Sequence, residues 1–347
     1  MKNKIARNIF MMIGLLLSSC GESTPSFSLF IYNSKDTFIN ELKKVILHRT
    51  DSEYDVNIQY AEKSQKTQMQ QINSALEDEQ QKLLLVNMVD RLSASAIIEK
   101  SLVNKANVIF FNREPLLDDM DNQTNAFYIG SDNSYEGELQ AKLAEDIFGN
   151  PNDLNPKYDK NGDGKIQAII LKGELGHQDA EQRSAKVISQ LTEDGYDVDL
   201  INTYICNWSR TEAYNMMVDE YDKIKDSVEI IFSNNDDMAC GAMDYLIEKD
   251  VFKYNVDVSL QPVQLLGVDG TDVGYRAIRD GYMYGTILND AQKQASAIID
   301  AINYFENGTS MENNPDYEVV KGNYIYIKGS AITYDSLPTE YLMNNPE

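Results

Sequence analysis

The sequence predicts an α/β protein made of two doubly wound parallel-sheet lobes. Three observations carry that expectation. Short apolar, β-rich runs alternate with helical patterns; the alternation occurs twice in succession; and the 347-residue chain is long enough for two domains once a leader is removed.

The leader comes first. Met1 to Arg7 carries the positive charges Lys2, Lys4 and Arg7, Asn8 to Leu17 is nearly all apolar, and Leu17-Ser-Ser-Cys20 follows. A basic start, a short greasy stretch and a small-residue cleavage site make residues 1–20 a secretory signal, too short to span a bilayer. The closing Cys20 resembles the bacterial lipobox, which implies diacylation of that thiol and attachment of the mature N-terminus to the outer face of a membrane. Residues 21–26, Gly-Glu-Ser-Thr-Pro-Ser, read as a polar tether.

Past the tether, Phe27–Tyr32 is expected to be a strand and Thr37–His48 a helix. Val56–Tyr60, Leu83–Met88 and Val108–Phe111 are further strands, with helices near Thr67–Glu77 and Ser93–Asn104. The second set has strands at Ile166–Leu171, Val198–Tyr204, Glu229–Ser233 and Val263–Val268. Its helices lie near Asp179–Thr192, Thr211–Ile224, Asp237–Lys249 and Thr271–Asp280.

Short polar residues fall at the strand ends: Asp36 after the first, then Asn112, Asn235, Asp269 and Asn289-Asp290. Ligands of open α/β sheets bind outside the carboxyl ends of strands, although the same residue types also cap helices. Drawn from both halves of the chain, these residues point to one shared cleft.

Asp159-Lys-Asn161-Gly-Asp163-Gly164-Lys165-Ile166-Gln167 has the oxygen donors and glycine of an EF-hand calcium loop at positions 1, 3, 5, 7, 9 and 6, Lys165 serving through its carbonyl. Position 12 is Ile170 instead of the bidentate Glu, and a strand follows where an EF-hand has a helix, so a carboxylate must come from elsewhere.

That loop, then Leu171-Lys-Gly-Glu-Leu-Gly-His177-Gln-Asp179-Ala-Glu-Gln-Arg183, resembles the bacterial galactose/glucose-binding proteins, a type I periplasmic binding family. Phe110-Phe-Asn112-Arg-Glu-Pro115, Ser233-Asn-Asn235-Asp236, Gly267-Val-Asp269 and Gly285-Thr-Ile-Leu-Asn289-Asp290 match that family's other segments in order. The resemblance runs from about Phe27 to Ile327. It implies an N-terminal lobe of residues 27–131 plus 289–326, a C-terminal lobe of 132–288 plus 327–347, and a three-strand hinge between them. It also implies a sugar site of Asp36, Asn112, His177, Asp179, Arg183, Asn235, Asp269 and Asn289, with Phe38 and Trp208 as aromatic walls. Glu229 would complete the shell of a structural calcium ion with Asp159, Asn161, Asp163, Lys165 and Gln167. Arg113 and Gln178 stand where the family has Lys and Pro.

The chemistry suits a pyranose. Carboxylates accept from hydroxyls, Arg donates in a fork, Asn does both, and the C–H faces of the ring pack on aromatic faces. The implied function is delivery of glucose or galactose to an ABC permease by a monomeric, lipid-anchored receptor; chemoreception of the same sugars is the alternative output. A net charge of −24, or −27 without the leader, repels nucleic acid. A repressor of the same fold would need a basic helix-turn-helix where this chain has its export signal. A glycoside hydrolase would need a carboxyl poised as general acid, and the candidate carboxylates are all assigned as hydroxyl acceptors. The sequence leaves open whether Cys206 and Cys240 pair.

Overall fold

The computed structural model describes residues 24–78, 82–312 and 314–343; the leader with Cys20, and residues 21–23 of the expected tether, lie outside the described residues. The tether is shorter than expected at its far end, because Ser26 already pairs with Asp55 in the first sheet.

That sheet runs, edge to edge, through Glu318–Val320, Tyr324–Ile327, Ala126–Ser131, Asn107–Phe111, Leu83–Val86, Ser26–Ile31 and Asp55–Tyr60. All its neighbouring pairs are parallel except the outermost, Glu318–Val320 against Tyr324–Ile327. The second sheet runs through Ser330–Thr333, Gly285–Leu288, Gln264–Asp269, Ile230–Ser233, Ile166–Lys172 and Val198–Ile205. Only Ser330–Thr333 is antiparallel there.

The period-2 alternation of the strands fixes the layers. Phe27, Leu29 and Ile31 enter one core while Phe30 enters the core on the opposite face; Ile109 and Phe111 split from Val108 and Phe110 in the same way. In the second sheet Ile169 and Leu171 face one core, and Ile166, Ala168 and Ile170 the other. Each sheet is therefore covered on both faces, as parallel strands require.

The chain passes between lobes three times. Strand Ala126–Ser131 of the first sheet leads into helix Asn133–Phe148, whose Ala141, Ala144 and Ile147 pack in the second lobe's core. Strand Gly285–Leu288 of the second leads into helix Ala291–Asn307, whose Ile298 and Ile302 pack in the first lobe's core. The third passage follows Tyr324–Ile327, one residue later than the expected crossing at Tyr326. No helix among the described residues is long and apolar enough to cross a membrane.

A candidate ligand cleft at the strand ends

The carboxyl ends of both sheets face one another across the crossings. Side chains from both lobes enclose a single space there: Asp36, Phe38 and Asn112 from the first, and His177, Asp179, Arg183, Trp208, Asn235 and Asp269 from the second. The enclosed space is about 20 Å³, room for a water or two. A ring could enter only if the lobes part.

Each residue is fixed by local structure. Asp36 caps helix Thr37–Thr50 by accepting from Ile39 N at 2.9 Å, and its other oxygen accepts from the Tyr32 hydroxyl at 2.6 Å. Asn235 caps helix Asp236–Glu248 in the same manner, through Met238 N. His177 caps Gln178–Glu193, its Nδ1 accepting from Asp179 N at 3.3 Å, and presents its ring edgewise to Trp208 with centroids 5.0 Å apart. Capping and cleft-lining are thus the same placement. Burial and the nearby arginines hold the imidazole well below its ordinary pKa, so it is neutral.

Three lining residues adopt left-handed backbone: Asn112 at φ 61°, Trp208 at 63° and Asp269 at 113°. Non-glycine residues held in this region store strain, and such strain concentrates at ligand sites. Trp208 packs partly against the second lobe's core and partly lines the cleft.

Arg183 is not the surface partner of Asp179 that its i, i+4 spacing allows. It is buried, with Nε 2.7 Å from Glu136 Oε2, Nη1 donating to Asn234 O at 2.8 Å and standing 3.8 Å from Asp269 Oδ1. Asp179 instead accepts from Asn133 Nδ2 at 3.0 Å. Burial pushes the Asp179 and Asp269 carboxyls up, against the pull of Arg183, and Glu136 up to about 7.

Asn289 does not line the space. It sits buried behind Asp269, donating to Oδ1 at 3.4 Å and accepting from Gln294 Nε2. Tyr32, Asn133 and Glu136, which the sequence reading lacked, complete the arrangement. The lobes are latched at the rim by Glu174, which meets Lys63 at 3.1 Å and Arg113 at 2.8 Å.

The acidic loop lies at the other end of the second sheet. Strand Ile166–Lys172 begins at the loop and ends at the cleft, a run of seven residues or about 23 Å. Asp159 and Asp163 accept from loop backbone N–H groups. Glu229, just ahead of strand Ile230–Ser233, accepts from Lys160 N at 2.6 Å and Gln167 N at 3.2 Å. Gln167 Oε1 is buried with no partner, a free oxygen of the kind a hard cation takes. Among the described residues no group of three or more His, Cys, Asp or Glu converges to metal-holding spacing, so amide and carbonyl oxygens would have to share the work. Lys165 turns its amine away to Asp197. Cys206 and Cys240 are free, buried thiols.

A family model described as "Periplasmic binding protein domain" matches residues 27–310. The chain is 28% identical over 326 residues to the D-galactose/methyl-galactoside binding periplasmic protein of Haemophilus influenzae, covering 91% of this chain and 94% of that one. Two solved structures share the fold. One is an ABC transporter periplasmic solute binding protein of Actinobacillus succinogenes with bound D-allose (TM-score 0.73, 19% identity, 90% of this chain and 98% of that one). The other is an ABC transporter solute binding protein of Bacillus halodurans with bound myo-inositol (TM-score 0.72, 20% identity, 92% and 97%).

Proposed function

The chain belongs to the periplasmic binding protein family, and from that premise we propose that it is an extracytoplasmic receptor taking one glucose or galactose ring between its lobes and delivering it to an ABC permease. It is a binding protein, not an enzyme. The observation that carries the sugar reading is the set of short polar side chains from both lobes, with Phe38 and Trp208, around one small space. Hydroxyls both donate and accept, so a pyranose can satisfy carboxylates, asparagines and Arg183 together. Asp36, Asp179 and Asp269 outnumber Arg183, and Glu136 already engages that guanidinium. A phosphorylated or acidic sugar would meet repulsion. The Haemophilus relative's name supports galactose, and the ligands of the two structures are likewise neutral polyhydroxyl rings.

Attachment to the membrane is assigned to a diacylated Cys20, and a structural calcium ion to the loop of Asp159, Asn161, Asp163, Lys165 and Gln167 with Glu229. Calorimetric titration of the mature protein against hexoses, pentoses and sugar phosphates tests the reading. Tight binding of a sugar phosphate, with no response to glucose or galactose, would overturn it.

A further inference from the structure

Arg183 lines the central space, and two of its three nitrogens are already committed. Nε donates to Glu136 Oε2 at 2.7 Å and Nη1 to the Asn234 carbonyl at 2.8 Å. Nη2 is buried without a hydrogen-bond partner among the described residues. A guanidinium is planar and rigid, so holding two of its nitrogens fixes the direction of the third. One of those holds is main chain; the other is the Glu136 side chain.

Glu136 is placed by the chain's passage between lobes. It is fully buried in the first turn of helix Asn133–Phe148, just after the crossing at Ser131. A Cβ on Gly329, in the third crossing, would stand 3.4 Å from Glu136 Cγ and 2.8 Å from the carbonyl oxygen of Leu288, which opens the second. The three passages therefore meet beside this side chain. The next residue, Gly137, brings its helix close to helix Gln178–Glu193: a Cβ there would stand 2.8 Å from Lys186 Cβ and 3.0 Å from Arg183 O. Asn133, one turn earlier, donates to Asp179 Oδ1 at 3.0 Å. The first turn after the crossing thus grips two cleft residues, Asp179 and Arg183.

We propose that Glu136 is a positioning residue for the sugar: without touching the ligand, it clamps Arg183 at Nε so that Nη2 stands as a fixed donor to one ring hydroxyl. The inference rests on the hexose reading of the cleft.

The geometry asks Glu136 for reach more than for charge. Asp269 Oδ1 stands 3.8 Å from Nη1, so the guanidinium keeps a carboxyl neighbour in any case. Burial pushes the Glu136 carboxyl up to about 7, and both its ionised and its protonated form can accept from Nε.

The test is calorimetry on the parent, Glu136→Gln and Glu136→Asp. The ligands are glucose, galactose and the monodeoxy derivatives of whichever binds tighter. Gln keeps the reach and an accepting oxygen; Asp keeps the acid and falls one methylene short. Glu136→Gln should bind the hexose within about threefold of the parent, and Glu136→Asp at least about tenfold more weakly. For the one deoxy sugar that lacks the hydroxyl facing Nη2, Glu136→Asp should match the parent within about threefold. A carboxyl needed only for its charge would reverse the order of the two variants. A carboxyl needed only to hold the fold would weaken every sugar alike. The proposal is overturned if Glu136→Gln loses as much affinity as Glu136→Asp or more, if Glu136→Asp binds like the parent, or if its loss is the same for every deoxy sugar. A parent protein silent to both hexoses would instead remove the hexose reading, and the clamp with it.

Discussion

Gly173 and Trp208 meet so closely that a Cβ on the glycine would stand 2.2 Å from Cζ2 of the indole. The ring is backed by main chain leaving strand Ile166–Lys172 and edged by His177, and its Nε1 is buried without a partner. Gly173→Ala should therefore drive the ring toward the ligand space. Overpacking of this kind costs about 1–3 kcal/mol, and sugar affinity should fall at least about tenfold. Trp208 is the sole tryptophan, so its emission should change as glucose or galactose is titrated into the parent protein. Binding seen by calorimetry with a silent Trp would remove Trp208 from the site.

Asp269 combines a φ of 113° with a buried carboxyl 3.8 Å from Arg183 Nη1. Asn tolerates positive φ better than Ala does, so Asp269→Asn isolates the charge from the backbone strain. Losing a charge-assisted bond to a sugar hydroxyl should cost about 1.5–3 kcal/mol, or roughly tenfold to more than a hundredfold in affinity. Calorimetry at matched pH reads this directly. An unchanged dissociation constant would exclude Asp269 from ligand contact.

Glu114 gives stability a pH dependence whose sign follows from its environment. Burial and the Asp179 charge raise its carboxyl from 4.5 to about 7, although the Tyr326 hydroxyl and Arg91 oppose the shift. The folded protein thus holds a proton that the unfolded chain releases. Its stabilising effect is complete below about pH 4.5 and is lost as pH rises to about 7. Glu114→Gln removes this contribution, so the melting temperature of the variant should gain on the parent between pH 5 and pH 7.5, by at most about 3 kcal/mol in stability terms. Glu136 and Asp236, also raised to about 7, keep part of the slope in both proteins. Parallel melting profiles across that range would show that Glu114 does not titrate as its surroundings require.

The two-lobe architecture was legible because strand alternation and helix length are local signals, and hydrophobic runs such as Val108–Phe111 and Ile166–Leu171 are unambiguous. Most cleft positions were legible too, since Asp269 ends a strand, Asn112 and Asn235 follow strands within two residues, and Asp36 lies in the short turn between the first strand and its helix. Glu136 was not. It lies within helix Asn133–Phe148, and only the crossing after Ser131 carries that helix into the second lobe, where the glutamate meets Arg183. Nothing within its own segment marks it, although a glutamate in the buried stripe of a helix is a signal that could have been weighed. Asn289 is the opposite case: a strand-end asparagine looks like a ligand contact, and here Gln294 and Asp269 hold it one layer behind the enclosed space. Tyr32 closes the apolar run that begins at Phe27, where an aromatic reads as core, although it follows strand Ser26–Ile31 and so stands at a strand end.

The calcium proposal can be tested apart from the sugar. Asp159, Asp163 and Glu229 supply three carboxylates, and Asn161, Gln167 and the Lys165 carbonyl supply neutral oxygens, within the about six to eight that Ca²⁺ takes. The Glu229 carboxylate already reaches both ends of the loop, through Lys160 N and Gln167 N, across a separation of more than sixty residues in sequence. An ion bound there would fasten the loop to the neighbouring strand and stabilise the second lobe by mass action, by about 2.7 kcal/mol at a hundredfold excess over its dissociation constant. Because the cleft lies at the far end of strand Ile166–Lys172, chelation should lower the melting temperature while sugar affinity changes little. Glu229→Gln keeps the size of the side chain but loses the charge and one of the two accepting oxygens, so the readout is the gain in melting temperature on adding calcium, which should vanish in the variant. If Glu229→Gln retained full calcium-dependent stabilisation, a different residue would have to close the shell; if chelator left the parent protein's melting unchanged, the loop would be an acidic turn held by its own backbone hydrogen bonds.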